Sequence, residues 1–294
     1  MKIYNYIIVL SFLSIWLNIY LPIDLLHILA ILAILSFGLL HGSNDLFVID
    51  KLKMTPKSFS FWSILGFYIV SIIFFVLVFY NFPLLALVIF ITISAYHFGE
   101  QHWQDFFTDR NFLTLSFYFI YGLLILNLIF YLNQKEVIDI IQNMVNLNVK
   151  TTYFKWSLII SCIGTFGLGS LFAFKNIKFR QSLPINIFYL LVLSVIFFAS
   201  DVLWGFTIYF VLWHSLPSLK DQIKALYGTF NFKNFKRYFN RAFLYWLFSI
   251  LGMGIVIWWF KDDRNFLSLM FAFIAAVSFP HIFVMKKLFQ KNND

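Results

Sequence analysis

Long apolar runs, each closed by a charge or a proline, recur from one end of this chain to the other. They cover 3–20, 23–41, 59–80, 83–100, 112–132, 154–174, 184–200, 202–219, 242–260 and 266–285. Each comes close to the roughly 20 residues that an α-helix needs to cross a bilayer. The runs are continuous rather than alternating, which favours helices over the short two-faced strands of a membrane barrel. The pattern therefore predicts an all-α fold, a polytopic transmembrane helix bundle of about ten spans. The seventh and eighth runs are short and only Asp201 parts them, so they also fit one re-entrant element. The stretch 133–153 has the apolar spacing of a short amphipathic surface helix. The stretch 220–241 reads as a basic loop with interleaved Phe and Tyr, suited to the headgroup region. No internal repeat or linker divides the chain, so 1–294 is expected to form a single integral-membrane domain.

Composition agrees. Of 294 residues, 61% are hydrophobic and only 12% charged, about half the share of a soluble domain. The first run lacks a small-residue cleavage site and flows into the second, which argues against a cleaved leader. One cysteine, Cys162, lies inside an apolar run and excludes a disulfide framework. The net charge of +9 suits an anionic membrane surface better than nucleic acid.

Lysine and arginine set the sidedness. With the N-terminus inside, seventeen cations fall on the inner side: Lys2, Lys51, Lys53, Lys57, Arg110, Lys175, Lys178, Arg180, Lys220, Lys224, Lys233, Lys236, Arg237, Arg241, Lys286, Lys287 and Lys291. The five others, Lys135, Lys150, Lys155, Lys261 and Arg264, fall outside. This bias favours an even number of spans with both termini cytoplasmic, in a multi-pass protein of the plasma (inner) membrane.

The same orientation sorts the histidines. His41, His97, His214 and His281 end the second, fourth, eighth and tenth spans, all at the cytoplasmic face, whereas His27 begins the second span near the opposite face. An imidazole at a membrane boundary is costly unless paired or coordinating, and histidine is the commonest protein metal ligand. Asp45 follows His41 by four residues and would share its face if the helix continued, where a carboxylate holds the second nitrogen of a ligating imidazole. Glu100 follows His97 by three and is a candidate for the same role. His102 is five residues from His97, about 140° away around a regular helix, so it points toward water or headgroups and stands only in reserve as a ligand. Pro217 and Pro280 flank His214 and His281 and disturb the helices there. Neutral nitrogen donors suit iron, zinc or copper. The 41 Phe, 15 Tyr and 9 Trp exceed the needs of an interfacial belt and would also wall a site for a long apolar substrate.

Taken together, HGSNDLFVID, SAYHFGEQHW, WHSLPSLKDQI and SFPHIFVMKKL resemble the Brp/Blh family of membrane β-carotene 15,15′-dioxygenases, from the second span to the last. The resemblance implies Fe(II), Fe(2+), held by His41, His97, His214 and His281. It implies addition of O2 across the central double bond of β-carotene to give two all-trans-retinal, within a lipid bilayer and often beside a rhodopsin system that accepts retinal. In some members the third motif carries a second histidine four residues on, where this chain has Ser218. Two other classes fit parts of the pattern. One is a membrane histidine-box hydroxylase or desaturase acting on a lipid or carotenoid, which would need more histidines. The other is a non-enzymatic haem-binding or transport protein. A retinal-binding photoreceptor is disfavoured because no lysine sits mid-span to form a Schiff base.

Overall fold

In the computed structural model the described residues, 2–51, 60–107, 109–260 and 266–293, are almost entirely helical, with no strand among them. Lys53, Lys57, Lys261 and Arg264, four of the charges counted above, lie outside the described residues, as does Phe59, where the third span was expected to begin. The helices are α1 (Lys2–Tyr20), α2 (Ile23–Ala33), α3 (Asp45–Lys51), α4 (Phe61–Asn81), α5 (Pro83–Trp103), α6 (Phe112–Leu132) and α7 (Gln134–Val145). They continue as α8 (Thr151–Lys175), α9 (Ile177–Ala199), α10 (Val202–Ile208), α11 (Leu216–Tyr227), α12 (Phe232–Phe260) and α13 (Phe266–Asn293). Among the described residues, nine helical stretches are long and apolar enough to cross a membrane, and Ile23–Gly38 is a shorter apolar one. The protein is thus an all-α, multi-pass membrane protein.

Helix ends follow local chemistry. Ser60, Asn111, Asn176 and Asp201 sit at N-caps and accept hydrogen bonds from backbone N–H groups that have no partner within their helices. Asp201 accepts from the N–H of Leu203 and Trp204, at 2.8 and 2.9 Å, and so starts α10 afresh after α9. The seventh and eighth runs are therefore two helices and not one re-entrant element. The stretch 220–241 is not a loop. It is helical apart from Gly228–Asn231, because its apolar positions pack in a core with Leu219, Ile223, Tyr238 and Leu288. The amphipathic surface helix expected in 133–153 is α7.

Two π-helical stretches interrupt the regular pattern, Ile34–Gly38 just before His41 and Tyr209–Ser215 containing His214. Pro217 explains the second. It has no N–H to give the Trp213 carbonyl one turn back, and its ring crowds that carbonyl, so the helix widens ahead of it. Irregular backbone at membrane depth survives where protein encloses it, and Val202–Tyr227 is buried along nearly its whole length.

The chain groups into two compact units. The first comprises residues 1–32, 91–142 and 147–214. Its centre is α6, which packs most extensively on α8 and also meets α9 and α10. Asn127 on α6 donates to the Ser157 carbonyl (3.0 Å) and to Ser161 Oγ (3.1 Å) on α8, while Ser157 Oγ donates back to Asn127 Oδ1 (3.0 Å). Such polar clamps add specificity between helices that have no hydrophobic drive to associate in lipid. Next to the histidine-bearing end of α5, the α5 and α6 backbones nearly touch. A Cβ on Gly99 would fall on the Tyr118 carbonyl, and one on Gly122 on the Ala95 carbonyl. Gly99→Ala is expected to push α5 off α6 and to cost about 1–3 kcal/mol by overpacking. Gly167→Ala, at a glycine with nothing within 4 Å, should leave stability unchanged or slightly raised. Thermal unfolding in detergent compares the two.

The second unit comprises residues 33–90, 143–146 and 215–294. Here α13 packs on α4, α12, α3 and α11. Phe75 of α4 stacks on Phe279 of α13, with ring centres 4.4 Å apart. The 29 residues of α12 extend roughly 43 Å at 1.5 Å per residue, longer than a hydrocarbon core, so its basic first turns suit the interface.

Candidate metal centre

In the second unit, His41 lies in a turn, residues 41–44, between the π stretch and α3. The helix does not continue through Asp45, so Asp45 does not share a helical face with His41. His41 Nδ1 instead meets the Gly38 carbonyl at 2.5 Å. A carbonyl only accepts, so Nδ1 carries the proton and Nε2 of the neutral ring presents its lone pair. The turn is held by side chains. Gln222 Nε2 donates to the His41 carbonyl (2.6 Å), Tyr238 Oη donates to Gln222 Oε1 (2.8 Å), and Asn44 Nδ2 donates to the Tyr238 carbonyl (2.9 Å). All four residues are buried, so these bonds satisfy backbone groups that water does not reach.

His281, which follows Pro280 within α13, brings its ring edge-on to that of His41, with centres 4.6 Å apart at 90°. Its Nδ1 lies 2.9 and 3.0 Å from the two oxygens of Asp45, and Tyr68 Oη donates to Asp45 Oδ2 at 2.9 Å. Asp45, expected beside His41, thus serves His281. With a carboxylate on Nδ1, His281 also turns Nε2 outward as a ligand atom. Ser218, where the family pattern can carry histidine, is buried, with Oγ 3.9 Å from Met285 Sδ and within 3.4 Å of Gln222 Nε2.

In the first unit, His97 and His214 form a second buried pair, with ring centres 4.9 Å apart at 79°. Phe98 meets the edge of the His214 ring at 4.7 Å and Phe210 stacks on it at 5.6 Å. Gln101 Nε2 donates to the His214 carbonyl (2.9 Å), which ties α5 to the π stretch. His214, Phe98, Gln101, Tyr121, Tyr209 and Trp213 are among the walls of a small cavity.

α5 runs unbroken through Gly99, and His102 accordingly leaves the His97 face. It does not reach water or headgroups as expected. Its Nε2 donates to Asn186 Oδ1 at 2.7 Å, its ring stacks on Tyr121 at 5.0 Å, and it lines the same cavity. Asn186 Nδ2 donates to the Ser182 carbonyl, which orients the amide and makes the imidazole the donor. Glu100 is fully buried. Its Oε1 accepts from Tyr96 Oη at 2.8 Å and pairs with Arg110 Nη2 at 2.7 Å. His27 lies near Asp201, 3.5 Å away, with a third of its side chain exposed.

Sequence reasoning missed Tyr68, Gln222, Gln101 and Asn186. Gln101 and Gln222 stand inside the quoted motifs SAYHFGEQHW and WHSLPSLKDQI, whereas Tyr68 and Asn186 were marked only by the rarity of polar groups in apolar segments.

Fold and side chains together define a multi-pass membrane protein with buried imidazoles stacked beside aromatic walls. The chain belongs to the beta-carotene 15,15′-dioxygenase family, whose model matches residues 32–289, and it is a carotenoid cleavage dioxygenase. No curated protein and no solved structure matches it.

Proposed function

We propose that this enzyme cleaves β-carotene at its central 15,15′ double bond with O2, using one Fe(II) ion held by His41, His97, His214 and His281. The observation that carries the reading is the preparation of the imidazoles. Both Nδ1 atoms in the second unit are committed to acceptors, His41 to a carbonyl and His281 to Asp45, so both Nε2 atoms are poised as donors. Ring spacing supports the same assignment. Two cis imidazoles on one ion, with metal–nitrogen bonds near ~2.1 Å and a roughly 90° angle, have centres about 4.7 Å apart. The pairs in the two units stand at 4.6 and 4.9 Å. The donor set is neutral nitrogen without thiolate, which suits iron. Ser218 offers no nitrogen, so His281 completes the set.

A bound Fe(II) supplies the activation of dioxygen. The chain's own residues do the rest. Phe98, Phe210, Tyr209 and Trp213 around His214 give the flat, rigid surfaces that a polyene packs on and keep water from the reacting carbons. Asp45 fixes the ring plane of His281. The Glu100–Arg110 pair anchors the end of α5 one turn beyond His97. In the net reaction both bonds between the central carbons break and each carbon takes one oxygen atom, giving two aldehydes from one C40 chain. The charge bias supports cytoplasmic termini and, with them, the four histidine ends at the cytoplasmic face of the cell membrane.

The test is expression of the full chain in carotene-producing cells supplied with iron, with retinal measured by chromatography and metal measured on the purified protein. Retinal together with about one iron per chain is expected. Unchanged carotene with well-inserted protein defeats the reading, and a Soret band would move it to haem.

A further inference from the structure

We infer that Tyr68 is a positioning residue for the metal-binding edge of His281, acting through Asp45; this rests on the metal-centre reading above. Tyr68 lies on α4, and the residues beside it, Phe67, Ile69 and Val70, are exposed as lipid-facing side chains are. Tyr68 alone of these four turns a polar group inward, placing its hydroxyl 2.9 Å from Asp45 Oδ2. Asp45 is 1% exposed and His281 3% exposed, so the carboxylate and the imidazole meet away from water, with the half-buried Tyr68 reaching in to them. A carboxylate that receives one donor can swing about its Cβ–Cγ bond and carry that donor with it. Held by Tyr68 at Oδ2 and by His281 across both oxygens, Asp45 has one orientation, and the His281 ring has one plane.

The three groups come from three helices that pack on one another, Asp45 from α3, Tyr68 from α4 and His281 from α13. The hydroxyl therefore couples α4, which carries no ligand, to the direction of His281 Nε2. Gly42 also lies against the ring. A Cβ there would sit 3.5 Å from His281 Nδ1, in ordinary van der Waals contact, so the backbone backs the imidazole closely. Outer partners that orient metal-bound histidines change affinity by about 10–100-fold when removed.

Tyr68→Phe removes one oxygen and keeps the ring. Full-length protein purified in detergent is titrated without oxygen with Fe(II), and separately with Co(II), against a chromophoric chelator. The Tyr68→Phe protein is expected to bind either ion about tenfold more weakly, with altered Co(II) d–d bands. Asp45→Asn should do at least as much, and the double variant no more than Asp45→Asn alone, because Tyr68 acts only through Asp45. Phe67→Leu, on the lipid-facing side of the same helix, should keep wild-type affinity. Wild-type affinity and spectrum in Tyr68→Phe overturn the inference, even if the metal-free protein melts earlier. So does a double variant in which the two losses add. A wild-type chain that binds neither ion overturns the metal centre itself, a separate result from the loss of Tyr68's role alone.

Discussion

Replacing His41, His97, His214 or His281 singly by alanine is expected to abolish retinal formation and to weaken iron binding by more than about 100-fold. That is beyond the upper end of what partners outside the coordination sphere contribute. Each imidazole is buried, so alanine leaves a dry gap where water is a poor substitute ligand. The comparison that gives the result meaning is with the two other histidines. His27→Ala removes a partly exposed ring near Asp201 and should leave both metal and activity unchanged. His102→Ala opens the cavity wall beside Asn186 and Tyr121; it should retain full metal content while altering turnover or carotenoid preference. Metal analysis and retinal yield on the six variants separate ligands from wall. Iron retained in His281→Ala would remove that residue from the set.

Glu100→Ala is expected to be the most destabilising change away from the imidazoles. Glu100 is fully buried and meets the Arg110 guanidinium at 2.7 Å. Removing one partner of such a pair strands the other charge and costs about 3–5 kcal/mol, toward the lower end here because Arg110 is 19% exposed. Replacing both, Glu100→Gln with Arg110→Met, should recover most of the loss, since no charge is then left alone. Denaturant unfolding in detergent measures the cycle. The fraction of Glu100→Ala that remains folded should bind iron normally. A loss of affinity there would assign Glu100 to the orientation of His97 instead.

Much of this was legible in the chain before any coordinates. Apolar run length fixes helices in lipid because backbone groups have no other partner there, so the helices cover the expected runs, although α9 and α12 begin 7 and 10 residues earlier than expected. The four histidines were legible because polar residues in such segments are scarce. The partners were not. Asp45 pairs with His281, 236 residues away, because the turn at 41–44 ends the helix that would have set it beside His41. Sequence spacing assumes an unbroken helix and cannot register such a turn. The basic stretch after Lys220 read as a loop because its charges dominate the composition. Its buried Ile223 and Leu226 are spaced for one face of α11, Tyr238 packs against them from α12, and packing decided the outcome. His102 looked like an interfacial residue because its hydrogen-bond partner, Asn186, comes from a helix 84 residues away.

The π stretch at Tyr209–Ser215 makes this protein a counting device. Each residue in a helix turns the chain by 100°, and a π stretch is in effect one residue more than an α-helix of the same rise requires. Deleting a single apolar residue there, Val211 for instance, would let the segment relax to regular α-helix. His214, near the end of the stretch, would then keep its place beside His97 and Phe98, because the residues on either side stay in register. The stretch can absorb the loss of one residue that a regular helix would pass on as about a quarter-turn to every side chain beyond it.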